Sequence, residues 1–181
     1  MKKIQLGGHR RNSVIKGYAL VDDADFDELN KFKWYALQTK EKGQYYAARH
    51  TPKINGKRNL VFMHRSLLNP PIEMETDHVN RNKLDNRREN LRVATRSQNS
   101  QNRRKMGNSK MSYKGIYLSR ENRRNKWGAT IRVNGKFKHL GYYFTDKEAS
   151  FAYDKAAQKY HKEFALTNAW PELVTPLVIT L

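Results

Sequence analysis

Short runs of clustered or alternating apolar residues, separated by polar turns, recur along the chain. In "GYALVDDADFDELNKFKWYAL" they predict a strand, a short acidic helix and a second strand. "GQYYAARH" and "RNLVFMHRSLL" predict two more strands, the second running into a short helix. "INGK" between them predicts a hairpin turn, because Asn-Gly tolerates the positive φ angles that such turns require. These elements make a small α+β module over residues 1–62. In residues 63–105, Pro70 and Pro71 close the short helix, and "NLRVAT" predicts a strand. Thr95 with Gln98 three residues later predicts a capping box opening a helix through about Arg104. The outcome is a strand–loop–strand–helix unit. The polar, basic stretch "RRKMGNSKMS" marks a linker, placed at residues 106–112. Over residues 113–168, "YKGIYLSR", "KWGATIRVNG" and "KFKHLGYY" predict three antiparallel strands, the last two joined at Asn134-Gly135. Thr145 and Glu148 form a second capping box. Ala149, Ala152, Tyr153, Ala156, Ala157 and Tyr160 then repeat at helical spacing, a stripe small enough to sit close on a sheet. Residues 169–181 form a tail. The fold class is α+β throughout.

Charge changes the picture. Lys and Arg number 36 against 17 Asp and Glu, for a formal net charge of +19 over 181 residues. The excess is +7, +6 and +6 over residues 1–60, 61–111 and 112–181. A partner that meets every module is therefore long and polyanionic, which points to double-stranded DNA rather than a small-molecule substrate. Seven Phe, three Trp and ten Tyr argue for folded modules rather than a basic tail. The chain has no cysteine, which excludes disulfides and thiolate zinc sites and fits a reducing compartment. No stretch reaches the roughly 18 apolar residues of a membrane span, and "MKKIQLGGHRRNSV" lacks the long apolar core of a signal peptide. The expectation is a cytoplasmic protein, in a bacterium or a phage-infected cell.

Six asparagines (Asn80, Asn82, Asn86, Asn90, Asn99 and Asn102) crowd the stretch that follows "TDH". Hydrolysing a phosphodiester needs a base for water and a cation to offset charge on phosphorus and the leaving oxygen, both rigidly placed. His78 has the ordinary pKa for the base. Its neighbour Asp77 points to the opposite side of an extended segment and can hold a metal. Hard oxygen ligands suit Mg²⁺, with Mn²⁺ the alternative and zinc not expected; Asn99 on the following helix can supply a second ligand. Asn90 can accept from one imidazole nitrogen and leave the other free as base. Asn80, Asn82 and Asn86 read as turn residues. His64 has no spacing that suits a metal, and reads as structural or as a phosphate contact. Arg81, Lys83, Arg87, Arg88 and Arg92 surround this stretch and are expected to hold backbone phosphates, as are Arg103 and Arg104 after it.

"MHRSLL…TDHVNRNKLDNRRENLRVATRSQNSQN", over about Met63 to Asn102, resembles the HNH homing endonucleases of phages and mobile introns, with their ββα-metal hairpin. The resemblance implies His78 as general base, Asn90 as the residue that orients it, and Asp77 and Asn99 as ligands of one divalent cation. Asn99 stands where other branches of that family have histidine.

"YKGIYLSR…KWGATIRVNGKFKHLGYYFTDKEASFAYDKAAQKYHKEFALTN", about Ser112 to Asn168, resembles the APETALA/ethylene-response-factor DNA-binding domain. That family lays a three-stranded sheet in the major groove with a helix behind. Along the second strand, Trp127, Ala129, Ile131 and Val133 alternate with Lys126, Thr130 and Arg132, so the first set is expected against the helix and the second on DNA. Lys114 and Arg132 match basic positions of the family, whereas Tyr117, Ser119 and His139 replace its base-reading residues. His139 nonetheless lies on the expected DNA face, and Arg120, Arg123 and Arg124 in the first hairpin loop are expected at phosphates. The first 62 residues are either an auxiliary DNA clamp or a scaffold that completes the sheet of the hairpin. The expected activity is metal-dependent DNA cleavage by a monomer, one strand per engagement. A non-catalytic DNA-binding regulator with a decayed nuclease core is the alternative, and an RNA-binding protein a third.

Overall fold

Ile4 and Leu6 alternate with the exposed Lys3 and Gln5, and this short pattern forms a strand that the sequence reading did not assign. The structure, a computed structural model, describes residues 1–8, 17–39, 43–105, 110–121 and 124–168. Chain contacts divide it into two units, Met1–Asn99 and Ser100–Leu181.

In the first unit, β1 (Lys2–Gly8) lies inside a five-stranded sheet of order β2-β1-β3-β4-β5. It pairs antiparallel with β2 (Gly17–Val21) and parallel with β3 (Tyr35–Gln38). β4 (Tyr45–His50) and β5 (Leu60–Phe62) follow, each antiparallel to its neighbour. Between β4 and β5, Ile54 and Lys57 bridge across Asn55 and Gly56, whose φ angles of 49° and 75° match the Asn-Gly turn. The acidic helix α1 (Asp23–Asn30) buries Leu29, whose carbonyl accepts from the Trp34 indole at 2.8 Å. α2 (Met63–Leu68) ends at Asn69 in a left-handed conformation, one residue ahead of Pro70. Ile4, Leu6, Ala19, Val21, Leu29, Trp34, Ala36, Ala47 and Met63 make the core.

A separate two-stranded sheet pairs β6 (Glu75–His78) with β7 (Leu91–Ala94), antiparallel, setting Glu75 opposite Ala94 and Asp77 opposite Arg92. The loop between them runs along β2: Leu20 N–H donates to Leu84 O and Asn86 N–H to Leu20 O, both at 2.8 Å. α3 (Arg96–Gln101) opens with the expected capping box, Gln98 N–H on Thr95 Oγ1 and Thr95 N–H on Gln98 Oε1. It stops about three residues short of the expected end.

In the second unit, β8 (Ile116–Leu118), β9 (Trp127–Val133) and β10 (Lys136–Tyr143) form an antiparallel sheet of order β10-β9-β8. Asn134 and Gly135, at φ 49° and 79°, make the turn between the last two. α4 (Asp146–His161) starts at a complete capping box on Thr145 and Glu148. Its alanine stripe meets β9: Ile131 packs with Tyr153, Ala156 and Ala157, while Ala129 packs with Ala149 and Ile116. Asn168 fastens the end of the unit, donating from N and Nδ2 to Asp154 Oδ1, both at 2.9 Å, and accepting Lys114 N–H at 2.7 Å. Burial pushes the Asp154 carboxyl above its usual range. No helix among the described residues is long and apolar enough to cross a membrane.

Gly115 is fixed by this packing. Its φ of +79° is left-handed, and a Cβ there would stand 1.9 Å from the Tyr153 ring. Gly135 has the same φ but open space around it. We expect Gly115→Ala to cost about 2–5 kcal/mol of unfolding free energy, from left-handed strain plus overpacking. Gly135→Ala should cost only the strain, about 1–2 kcal/mol. Denaturant unfolding of the two variants checks the difference.

Candidate active site

Strand alternation sorts the residues of β6. Glu75 and Asp77 share one face, and Thr76 and His78 the other. Asp77 is buried, and Arg92 directly across the hairpin donates to its Oδ2 from Nε at 2.9 Å and from Nη2 at 2.7 Å. Asn99, on α3, donates from Nδ2 to Glu75 Oε2. Glu75 and Asp77 stand about 7 Å apart along the strand, so α3 brings the Asn99 amide to the same face as Asp77. Oxygen donors of this kind, a carboxylate and an amide with a second carboxylate alongside, suit a hard divalent cation. No group of three or more His, Cys, Asp or Glu poised for a metal occurs among the described residues.

His78 turns the other way, toward Tyr46 and His64. The His64 and His78 ring centroids are 5.1 Å apart, edge to face, and Tyr46 lies 5.1 Å from His64 and 6.1 Å from His78. Phe62 stacks on His64 at 5.5 Å. Burial pushes the His78 imidazole down to about 4, although the Asn86 amide and the Asp77 and Asp85 carboxylates favour the proton. Burial pushes His64 down to about 3, with His78 and Arg65 adding to the effect. Both rings are therefore neutral at pH 7, and a neutral imidazole can take a proton.

The asparagines divide differently from the sequence reading. Asn90, in a short 3-10 turn before β7, donates from Nδ2 to Asp85 O at 2.7 Å and accepts Asn80 N–H on Oδ1 at 2.8 Å. Its carbonyl accepts Val79 N–H at 2.9 Å. Its side chain thus ties the loop beside His78, and the expected imidazole bond is not among these contacts. Asn86, assigned only to the turn, is fully buried and is the amide that reaches His78. Asn80 and Asn82 keep the turn role: Asn80 Oδ1 accepts Asn82 N–H, and Asn82 Oδ1 accepts Leu84 N–H. Neither Glu75 nor Asp85 stands out by spacing in the sequence. A polar residue at the inward position of a short strand was the signal for the first, and an aspartate ahead of Asn-Arg in a turn the signal for the second.

Several of the expected phosphate contacts hold protein carboxylates. Arg87 takes Asp85 and Glu89, Arg88 takes Asp25, and Arg92 takes Asp77. Lys83 lies over the Tyr46 ring at 5.1 Å, and Arg81 adopts a left-handed φ of 65° at the loop. In the second unit the Lys114 ammonium donates to the carbonyls of Gln101 and Arg103. Arg103, Arg104, Arg120, Arg124, Lys126, Arg132 and His139 are exposed, and Thr130 is half-buried with its hydroxyl on Lys138 O. His139 belongs to an aromatic group with Tyr117 and Tyr142, its ring 4.6 Å from that of Tyr142. Arg123 lies outside the described residues.

Residues 68–101 match the model of a family described as HNH endonuclease. The chain is also 28% identical, over 153 residues, to an uncharacterized HNH endonuclease of Acanthamoeba polyphaga mimivirus, covering 83% of this chain and 74% of the viral protein. No solved structure matches. The stretch that carries Glu75, Asp77, His78, Asn86, Asn90 and Asn99 is therefore the one in which this chain is similar to HNH endonucleases.

Proposed function

We propose that the chain is a DNA endonuclease of the HNH homing type that hydrolyses phosphodiester bonds in duplex DNA. The observation that carries this reading is the neutral, buried His78 next to Asp77, with Asn99 brought by α3 to the Asp77 face. His78 accepts a proton from water as the water oxygen attacks phosphorus and the bond to the leaving sugar oxygen breaks. Asp77 and Asn99 are the residues that would hold a divalent cation, Mg²⁺ or Mn²⁺. Such a cation supplies positive charge against the developing charge on the phosphate and the leaving oxygen. Asn90 keeps the loop closed at Val79 and Asn80, which fixes the chain immediately after the base. Arg92 holds the Asp77 carboxylate in one rotamer.

The second unit anchors the enzyme. Thr130 and Arg132 share the β9 face turned away from α4, with Lys126 just ahead of the strand, His139 on the adjoining strand and the exposed Arg120 and Arg124 at the first hairpin loop. Base-edge contacts specify and phosphate contacts position, so these residues combine both tasks. The described residues hold one β6–β7 site, and a monomer nicks one strand per engagement.

His78→Ala should lower the cleavage of duplex DNA by at least about 100-fold, the low end of a general base's contribution, with DNA affinity unchanged. A plasmid-nicking assay with a parallel binding measurement checks this; undiminished nicking after removal of contaminants would refute the proposal. A second expectation concerns pH. His78 and His64 titrate at about 4 and about 3 when folded, below the 6.5 of an unfolded histidine. The unfolded chain then binds more protons than the folded one below about pH 6.5, so stability falls as pH drops from there toward 3. Asp85, held low by Arg87, loses its contribution in the same direction at lower pH. His64→Phe should flatten this decline, as read by denaturant unfolding between pH 8 and pH 4.

A further inference from the structure

Glu75 belongs to no part of the proposed chemistry, yet its carboxylate is the group that Asn99 touches. An amide ligand is useful to a hard cation only through its oxygen, and the amide has two nearly isosteric orientations. With Nδ2 on Glu75, Asn99 directs Oδ1 away from that carboxylate. The flipped amide would set Oδ1 against Glu75, oxygen on oxygen, with no proton between them. α3 holds the backbone of Asn99 through its N–H on Thr95 O at 2.9 Å, but that bond does not decide which way the amide faces. Glu75 is placed to decide it because it sits two residues before Asp77 on the same strand face and opposite the small Ala94.

We infer that Glu75 is a positioning residue for the cation site, holding Asn99 Nδ2 on its own carboxylate so that Oδ1 is the amide atom left for the cation. The inference rests on the nuclease reading, and it predicts a graded pair of variants. Glu75→Gln keeps an acceptor oxygen for Asn99 Nδ2, whereas Glu75→Ala removes it. Residues that orient metal ligands typically change metal affinity by about 10–100-fold when lost.

The test titrates Mn²⁺ into the full chain and follows free Mn²⁺ by electron paramagnetic resonance, with Asp77→Ala as reference. Side-chain amide spectra of Asn99 are recorded without metal. Support would be a loss of about tenfold or more in Glu75→Ala, an affinity within about threefold of the parent in Glu75→Gln, and an Asn99 amide shift that moves only in the alanine variant. Equal losses in both variants would overturn positioning in favour of a charge or direct-ligand role. Unchanged affinity in both, with Asp77→Ala impaired, would overturn the inference alone. A parent chain whose Mn²⁺ affinity is unaltered by Asp77→Ala would overturn the nuclease reading and the inference with it.

Discussion

The site depends on one buried carboxylate. Asp85 is 2% exposed, yet it accepts Arg87 Nε at 2.9 Å and Nη2 at 2.8 Å, and Asn80 Nδ2 at 2.8 Å. A carboxylate out of water is costly unless such partners surround it, so the loop between β6 and β7 is stable only when all of them are in place. That requirement closes the twelve-residue loop between His78 and Leu91. The Asp85 carbonyl takes the Asn90 amide, and the Asn90 carbonyl takes Val79 N–H. His78 is thereby fixed from a distance, by a chain of hydrogen bonds that ends on its own neighbour.

The first sixty residues take part in the same constraint. The loop is bonded to β2 at Leu20, and Arg88 reaches back to α1, its N–H on Asp22 and its guanidinium on Asp25. Tyr46 on β4, and Phe62 and His64 where β5 meets α2, supply the rings that take His78 out of water. These contacts tie the first segment to the β6–β7 hairpin, which pairs as a two-stranded sheet of its own. They also explain the depressed imidazole: a ring that a two-stranded hairpin alone would leave wet is covered by the five-stranded sheet's own side chains.

Much of this was legible in the sequence. Local signals were decisive wherever one interaction fixes the geometry: the Asn-Gly turns, the Thr95 and Thr145 capping boxes, the alternation along β9 and the alanine stripe on α4. β1 was missed because a strand with two buried apolar residues, Ile4 and Leu6, becomes a strand by pairing on both sides, which no window of seven residues contains. The asparagines show the same limit. Spacing picked out Asn90 as special, but whether an amide meets an imidazole or a loop carbonyl depends on how Asp85 folds the turn. Glu75 was invisible for the complementary reason, since its partner Asn99 lies 24 residues away. Charge was the least specific signal. It pointed to DNA in every module, while Arg87, Arg88 and Arg92 hold carboxylates of the fold, leaving residues such as Arg124 and Lys126 exposed to meet a polyanion.

The central claim is that β6 and α3 together make one cation site beside the histidine base. A crystal structure of the full chain grown with Mn²⁺ and a duplex, with anomalous scattering collected at the manganese edge, tests it most directly. The account predicts one anomalous peak within about 2.0–2.6 Å of an Asp77 oxygen and of Asn99 Oδ1, a range spanning hard-cation coordination distances, with a DNA phosphate beside it. A peak coordinated by other residues, or none at this face while duplex is bound, would contradict it.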